Sequence, residues 1–302
     1  MSILKNSKLK ALLLVLALSV SVFVGCSKSE NDVNKDQGQE QSTGENKESD
    51  KLEGAISLAG STSVTPYAEQ LAEAFKSKNP NVEIDIQGLG SSAGIKAASD
   101  GTADIGMSSR EIKEDEKGLG LTEHVIAHEG IAVVTHPSNQ VKDLNMDQIK
   151  KIFKGEIKNW KEVGGKDAEI LLVSREAGSG TRGAFEELVG LEEKNADGKN
   201  VSVLSKEALI ADANGAVKQN IASKENAIGY LSLAYVDKSV KPITIEGVEP
   251  KTETVLSKEY KISRSFLLLT KGEENNIAKA YIDFILSPEG QKIVKEKGSC
   301  TC

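Results

Sequence analysis

The chain has 302 residues, which suits two domains of ordinary size, with 38% hydrophobic and 27% charged residues in a soluble globular balance. Its formal charge of −7 excludes a bulk positive field for nucleic acid, so any anion must be held locally by aimed dipoles and one or two cations. Aromatic residues are only 4%, so the cores are built mostly from Ile, Leu, Val and Ala, which favours buried parallel sheets flanked by helices over a β-sandwich.

Lys5, Lys8 and Lys10 precede an apolar run over residues 11–24, broken by Ser19 and Ser21 and followed by Gly25-Cys26. A charged start, a short apolar core and a small residue at the cut read as a secretory signal peptide over 1–25, too short for a comfortable transmembrane helix. Cys26 after Gly25 resembles a bacterial lipobox, with Phe23 where an aliphatic Leu is usual. Ordinary cleavage beside a chance cysteine is the alternative. Lipidation of Cys26, by palmitate for example, would hold the protein at the extracellular face of the cell membrane. Residues 26–53 are nearly all polar, with Val33 and Leu52 as the sizeable apolar side chains. Such a segment cannot bury enough surface to offset its ordering entropy and reads as a flexible tether, with a reach of roughly 30 Å. Cys300 and Cys302 end the chain; export permits a disulfide, and their role stays open. With three histidines and no cluster of them, no metal site and no cofactor are expected.

From residue 54 onward, short apolar runs alternate with amphipathic segments. Residues 55–59 read as a strand, and 64–77 as a helix with Leu71, Ala74 and Phe75 on one face. Residues 82–86 form a strand with Val82, Ile84 and Ile86 at period two, followed by a short helix over 94–99 and a strand over 104–107. The apolar run over 124–135 is long enough to pass from one domain into the next. Then come a helix over 146–153, a strand over 170–173, helices over 180–188 and 216–222 and a strand over 227–230. A buried strand over 265–269 and a helix pair over 277–296, broken at Ser287-Pro288, complete the chain. This alternation predicts an α/β fold with parallel-rich sheets flanked by helices. The simplest arrangement has one lobe from 54–131 plus 242–302 and a second from 132–241, with two crossings as a hinge and a cleft between.

The informative segments lie between strand and helix: Gly60-Ser61-Thr62-Ser63, Gly88-Leu89-Gly90-Ser91-Ser92-Ala93-Gly94, and Ser174-Arg175-Glu176-Ala177-Gly178-Ser179-Gly180-Thr181. Each falls where a strand ends and a helix begins, which is where α/β proteins place ligands. Helix N-termini offer unpaired N–H groups and a positive dipole end, glycine lets the backbone approach closely, and Ser or Thr adds a hydroxyl. Any one such loop is also an ordinary helix cap; three at equivalent strand ends, one with Arg175, can surround a tetrahedral anion.

These loops, with Asp104-Ile105-Gly106-Met107-Ser108-Ser109-Arg110, resemble the phosphate-binding proteins (PstS-type) of bacterial phosphate ABC transporters, and in particular their Gram-positive lipoprotein branch. The similarity runs from about residue 54 to 294. It implies a two-lobed, type II periplasmic-binding-protein fold that closes over phosphate, and a monomer that delivers it to ABC permease subunits driven by a separate ATPase. The ligands implied are the Thr62 hydroxyl, the Ser63 N–H, Ser91, Ser109, Arg175, Ser179, Gly180 and Thr181. At Ser109 well-known members carry an Asp that accepts a proton from the bound phosphate. Glu176 is the candidate replacement for that acceptor, its alternative being to orient Arg175 or to lie exposed. Arg110 either adds positive charge at the site or caps a helix.

Three other readings stay open. Gly90-Ser91-Ser92-Ala93-Gly94 fits a Gly-x-Ser-x-Gly nucleophile elbow, which would make the protein a secreted serine hydrolase using Ser92 with His124, His128 or His136 as base. The elbow comes early in the chain, and no enzyme activity is expected. The same fold could instead take sulfate, molybdate or another oxyanion, or serve as a surface receptor or adhesin.

Overall fold

The computed structural model describes residues 52–299; the expected leader, the Cys26 anchor, the tether through Lys51, and Cys300 and Cys302 lie outside the described residues. The first elements are β1 (Gly54–Gly60), α1 (Thr65–Lys78), β2 (Val82–Gly88), α2 (Ser91–Asp100) and β3 (Ile105–Ser108). After β4 (Leu121–Thr135) come β5 (Asp143–Leu144), α3 (Met146–Lys154), β6 (Leu171–Arg175) and α4 (Gly180–Val189), then a hairpin of β7 (Glu192–Lys194) and β8 (Asn200–Ser202). The chain continues with β9 (Leu209–Ala211), α5 (Asn214–Ser223), β10 (Ala227–Ser232), β11 (Lys241–Pro242), β12 (Thr244–Ile245) and α6 (Thr252–Leu256). It closes with β13 (Ser263–Lys271), α7 (Asn276–Leu286) and α8 (Pro288–Glu296).

Local chemistry explains these boundaries. α3 starts in a reciprocal cap between Asn145 and Gln148 and stops at Gly155, whose left-handed backbone at φ 79° a glycine adopts without strain. The break between α7 and α8 is at Ser287-Pro288: proline cannot continue α7, while the Ser287 hydroxyl accepts from Gly290 N–H and starts α8. On α1, Tyr67, Ala68, Leu71, Ala72 and Phe75 are buried, whereas Ala74 is half-buried at the edge of the expected face.

The main sheet runs β2-β1-β3-β13-β4-β10-β6-β9, with β11 paired to the side of β4. β1 pairs in parallel with β2 and β3, and β6 in parallel with β9 and β10. β4 joins the two parallel groups. Its first ten residues pair antiparallel with β13, and residues 131–135 pair antiparallel with β10. One apolar cluster joins Leu58, Leu71 and Phe75 to Phe266, Leu268, Tyr281 and Ile285. Another gathers Ile131, Val133, Phe153, Trp160, Phe185 and Tyr230, and draws in Ile243, Ile245, Val255, Tyr260 and Ile262. Those last five fall in the 242–302 segment that sequence grouped with residues 54–131. They pack against residues 131–230, where β12 pairs with β5 and the Tyr260 hydroxyl donates to the Ile131 carbonyl at 2.8 Å.

The α/β class and the major elements follow the sequence pattern. β5, β7, β8, β9, β11, β12 and α6 are additions, since runs of two to five residues are too short to carry a period. Phe185 is fully buried, stacked on Tyr230 at a centroid distance of 3.9 Å and edge-on to Phe153 at 4.9 Å. Phe185→Ala is expected to cost about 3–5 kcal/mol, read as a lower urea midpoint at unchanged slope.

Candidate functional site

Parallel strands end together, and their ends define the site. In the sheet register Gly60 is level with Gly88 and Met107, and Arg175 with Ala211. From these ends start α1, α2, α4 and α5, so four helix N-termini face one region. Ser179 caps α4 by accepting from Arg182 N–H at 3.2 Å, which makes Gly180 and Thr181 its first residues. Gly90 turns into α2 at φ 92°, a conformation that side chains disfavour, and so the helix begins at Ser91, three residues before the expected start.

The structure brings most of the expected residues into one hydrogen-bonded cluster. Ser63 Oγ lies 2.9 Å from Thr181 Oγ1, and Arg175 Nη2 donates to Thr62 Oγ1 at 3.2 Å. Ser61 Oγ donates to Ser109 Oγ at 2.8 Å, and Ser91 Oγ accepts from Ser109 N–H at 3.1 Å. The Ser63 N–H donates to Ser61 Oγ at 3.2 Å, so in this structure it is the Ser63 hydroxyl that occupies the centre. Ser92 N–H donates to the Gly178 carbonyl at 3.1 Å and Tyr235 Oη to the Thr62 carbonyl at 3.1 Å, tying the loops together.

Three contributors escaped the sequence reading: Asn214, Arg264 and Glu129. Asn214, the first residue of α5, accepts from Ser232 N–H through Oδ1 at 3.1 Å. A backbone N–H can only donate, which fixes the amide orientation: Nδ2 donates to Ser63 Oγ at 3.0 Å and to Thr62 Oγ1 at 3.4 Å. A short strand followed by Asp212-Ala213-Asn214-Gly215 was the available signal, obscured because β9 is only three residues long. Arg264 and Glu129 sit opposite each other on β13 and β4, inside strands with no loop motif to mark them.

Hydrogen-bond polarity then follows. Ser63 Oγ accepts from Asn214 Nδ2 and from Arg264 Nη2 at 3.1 Å, neither of which can accept in return. Its own proton therefore goes to Thr181 Oγ1, and Thr181 keeps its O–H to offer elsewhere. Thr62 Oγ1 likewise accepts from Arg175 and Asn214 and retains its proton for donation.

The charges are arranged in pairs. Arg175 is 1% exposed, and its Nε and Nη2 grip both carboxylate oxygens of Glu176 at 2.9 and 3.0 Å, while Nη2 also reaches the Asp212 carbonyl. Glu176 thus has the geometry that orients Arg175, with a partly exposed carboxylate. Arg110 donates through both terminal nitrogens to Glu116 at 2.7 Å and through Nη2 to Ser92 Oγ at 3.2 Å. Burial alone would raise the Glu116 carboxyl, but the Arg110 hydrogen bond and the Lys113 N–H hold it below its usual range. Glu129 is fully buried against Arg264 at 3.1 Å, with Ser232 Oγ and Ala234 N–H also donating to it. Burial pushes the Glu129 carboxyl up, against the opposing pull of Arg264 and of the hydrogen bonds from Ser232 and Ala234.

Residues 37–289 match the family model of the PBP superfamily domain. The phosphate-binding protein PstS of Bacillus subtilis (strain 168) is 35% identical over 298 residues, covering 97% of this chain and 94% of that protein. Among solved structures, a Clostridium perfringens protein described as a phosphate ABC transporter substrate-binding protein, with bound phosphate, is 50% identical with a TM-score of 0.78. The match covers 82% of this chain and all of that one. An ABC-type phosphate transport receptor from Vibrio cholerae is 37% identical with a TM-score of 0.69, over 82% of this chain and all of its own.

The close fit between loops yields a test of packing. A Cβ on Gly180 would lie 2.1 Å from Ser91 Oγ and 2.8 Å from Ser109 Oγ. Gly180→Ala is expected to force α4 off the second loop at a cost of about 1–3 kcal/mol, measured as a lower thermal midpoint.

Proposed function

The chain belongs to the PBP superfamily and, within it, to the PstS-type phosphate-binding proteins, and from that premise we propose that it captures inorganic phosphate outside the cell for an ABC importer. The observation that carries this reading is the gathering of three hydroxyl loops into one hydrogen-bonded cluster that includes buried Arg175, at the N-termini of four helices. Thr62, Ser63, Ser91, Ser109, Arg175, Ser179, Gly180 and Thr181 are the proposed ligands. Hydroxyl and amide dipoles supply most of the grip, which an acidic protein needs if it is to hold an anion.

The type II fold suits a mechanism of closure. The proposed lobes meet along β4 near Gly130 and Ile131 and again ahead of β13 near Ile262, where the apolar clusters change over. Phosphate favours the closed form because only that form brings both sets of donors to its oxygens. The filled protein then docks on permease subunits, and a separate ATPase supplies the energy. Within this reading Cys26 carries the lipid that keeps a monomeric protein at the extracellular face of the membrane.

No covalent step is proposed. Ser92 Oγ accepts from Arg110, a permanent cation that cannot remove its proton. His124 bonds to Thr270 and Glu274, His128 to Ser265 and His136 to Ser138, so each imidazole is engaged away from Ser92.

Titration calorimetry with phosphate, sulfate and molybdate in parallel tests the reading: phosphate is expected to bind most tightly, and heat with none of the three would overturn it. Arg175→Ala is expected to lose roughly 3 kcal/mol of binding, over 100-fold; a loss under tenfold would place Arg175 outside the site. Glu176 is proposed to accept the proton that phosphate carries and sulfate lacks. Glu176→Gln is accordingly expected to narrow the preference for phosphate over sulfate, and an unchanged ratio would remove Glu176 from that role.

A further inference from the structure

Among the described residues, the buried side-chain nitrogens and oxygens without a hydrogen-bond partner are Arg175 Nη1, Arg264 Nε and Arg264 Nη1. Buried donors are almost always paired, because one removed from water with no acceptor forfeits its solvation. All three sit on the two arginines that donate into the β1–α1 loop, Arg175 to Thr62 Oγ1 at 3.2 Å and Arg264 to Ser63 Oγ at 3.1 Å.

The way Arg264 is held separates it from a simple brace between β4 and β13. Arg110 and Arg175 each give a carboxylate two nitrogens, the geometry of a committed ion pair. Arg264 gives Glu129 one nitrogen, Nη2, and uses the same nitrogen for Ser63. Nε and Nη1 are spared. Glu129 in turn is saturated by Ser232 and Ala234 and anchored opposite Arg264 in the strand register, so it fixes the guanidinium without consuming its other donors. The side chain of Arg264 is 2% exposed, which keeps water from competing for those donors.

We propose that Arg264 is a second arginine ligand of the anion site, directing Nη1, which lies beside the Nη2 that reaches Ser63, at the tetrahedral oxyanion that Arg175 also grips, with Glu129 holding it in place. This inference rests on the oxyanion-binding reading above. With Glu176 beside Arg175 and Glu129 beside Arg264, the two guanidiniums are matched by two carboxylates before the anion arrives. The anion is then recognised by the direction of N–H groups and not by a net field. Arg264 also helps to set the Ser63 hydroxyl, and through it the proton that Thr181 can offer.

The test combines phosphate calorimetry with urea unfolding on the full chain. E129Q/R264Q removes both charges of the buried pair, a change that often leaves stability intact. It is expected to keep its unfolding midpoint near that of the parent while binding inorganic phosphate at least about 100-fold more weakly. A folded double variant that binds phosphate within about threefold of the parent would reduce the pair to a brace and overturn the proposal. Should the double variant not fold, R264K decides: it keeps the charge but loses the planar fork, so a loss above about tenfold supports ligation, and unchanged affinity overturns it. A parent protein that binds none of phosphate, sulfate and molybdate would remove the oxyanion reading and this inference with it. A parent that binds, beside variants that bind equally well, removes the inference alone.

Discussion

Arg175 is buried to 1% exposure, and a guanidinium in that position must be neutralised and hydrogen-bonded or the loops around it would not close. Glu176 meets the requirement from the adjacent position, taking Nε and Nη2 in a two-pronged pair, while the Asp212 carbonyl and the Thr62 hydroxyl receive what remains of Nη2. The geometry of the β1–α1, β6–α4 and β9–α5 loops follows from that demand. Each brings an acceptor to a cation that none of them could shelter alone.

Around this cation the hydroxyls are oriented by groups that can only donate. Asn214 and Arg264 turn Ser63 toward Thr181; Ser63 N–H and Val64 N–H turn Ser61 toward Ser109. Hydroxyls are free rotors in isolation, and a pocket of free rotors would lose entropy on binding an anion. Orienting them in advance removes that cost and presents protons where negative oxygens arrive. An acidic chain can therefore hold an anion without a positive surface, since selection depends on dipole direction over a few ångströms.

The sheet makes this convergence possible. Parallel strands place their C-terminal ends at one edge, so the helices that follow begin within reach of each other. β4 serves both parallel groups, pairing with β13 along its first ten residues and with β10 beyond, and its apolar length is what lets one strand belong to two cores. Glu129 lies near the change of partner, at the point where Ser232 and Arg264 approach from opposite sides.

The α/β class, the long elements and the three hydroxyl–glycine loops were determined by sequence alone, because each rests on short-range causes. Apolar residues at a helical or strand period, a proline after a serine, and glycine before a hydroxyl at a strand end are all local patterns. Thr62, Ser91, Arg175 and Thr181 were legible for that reason. Asn214 was hidden behind a three-residue strand, and Arg264 and Glu129 were hidden inside apolar strands where a charged residue carries no period. Their partners are 18 to 201 residues distant along the chain, so only the folded register could pair them. Tertiary structure also decided where residues 243–262 pack, through the pairing of β12 with β5, a contact between two-residue strands that no local pattern announces.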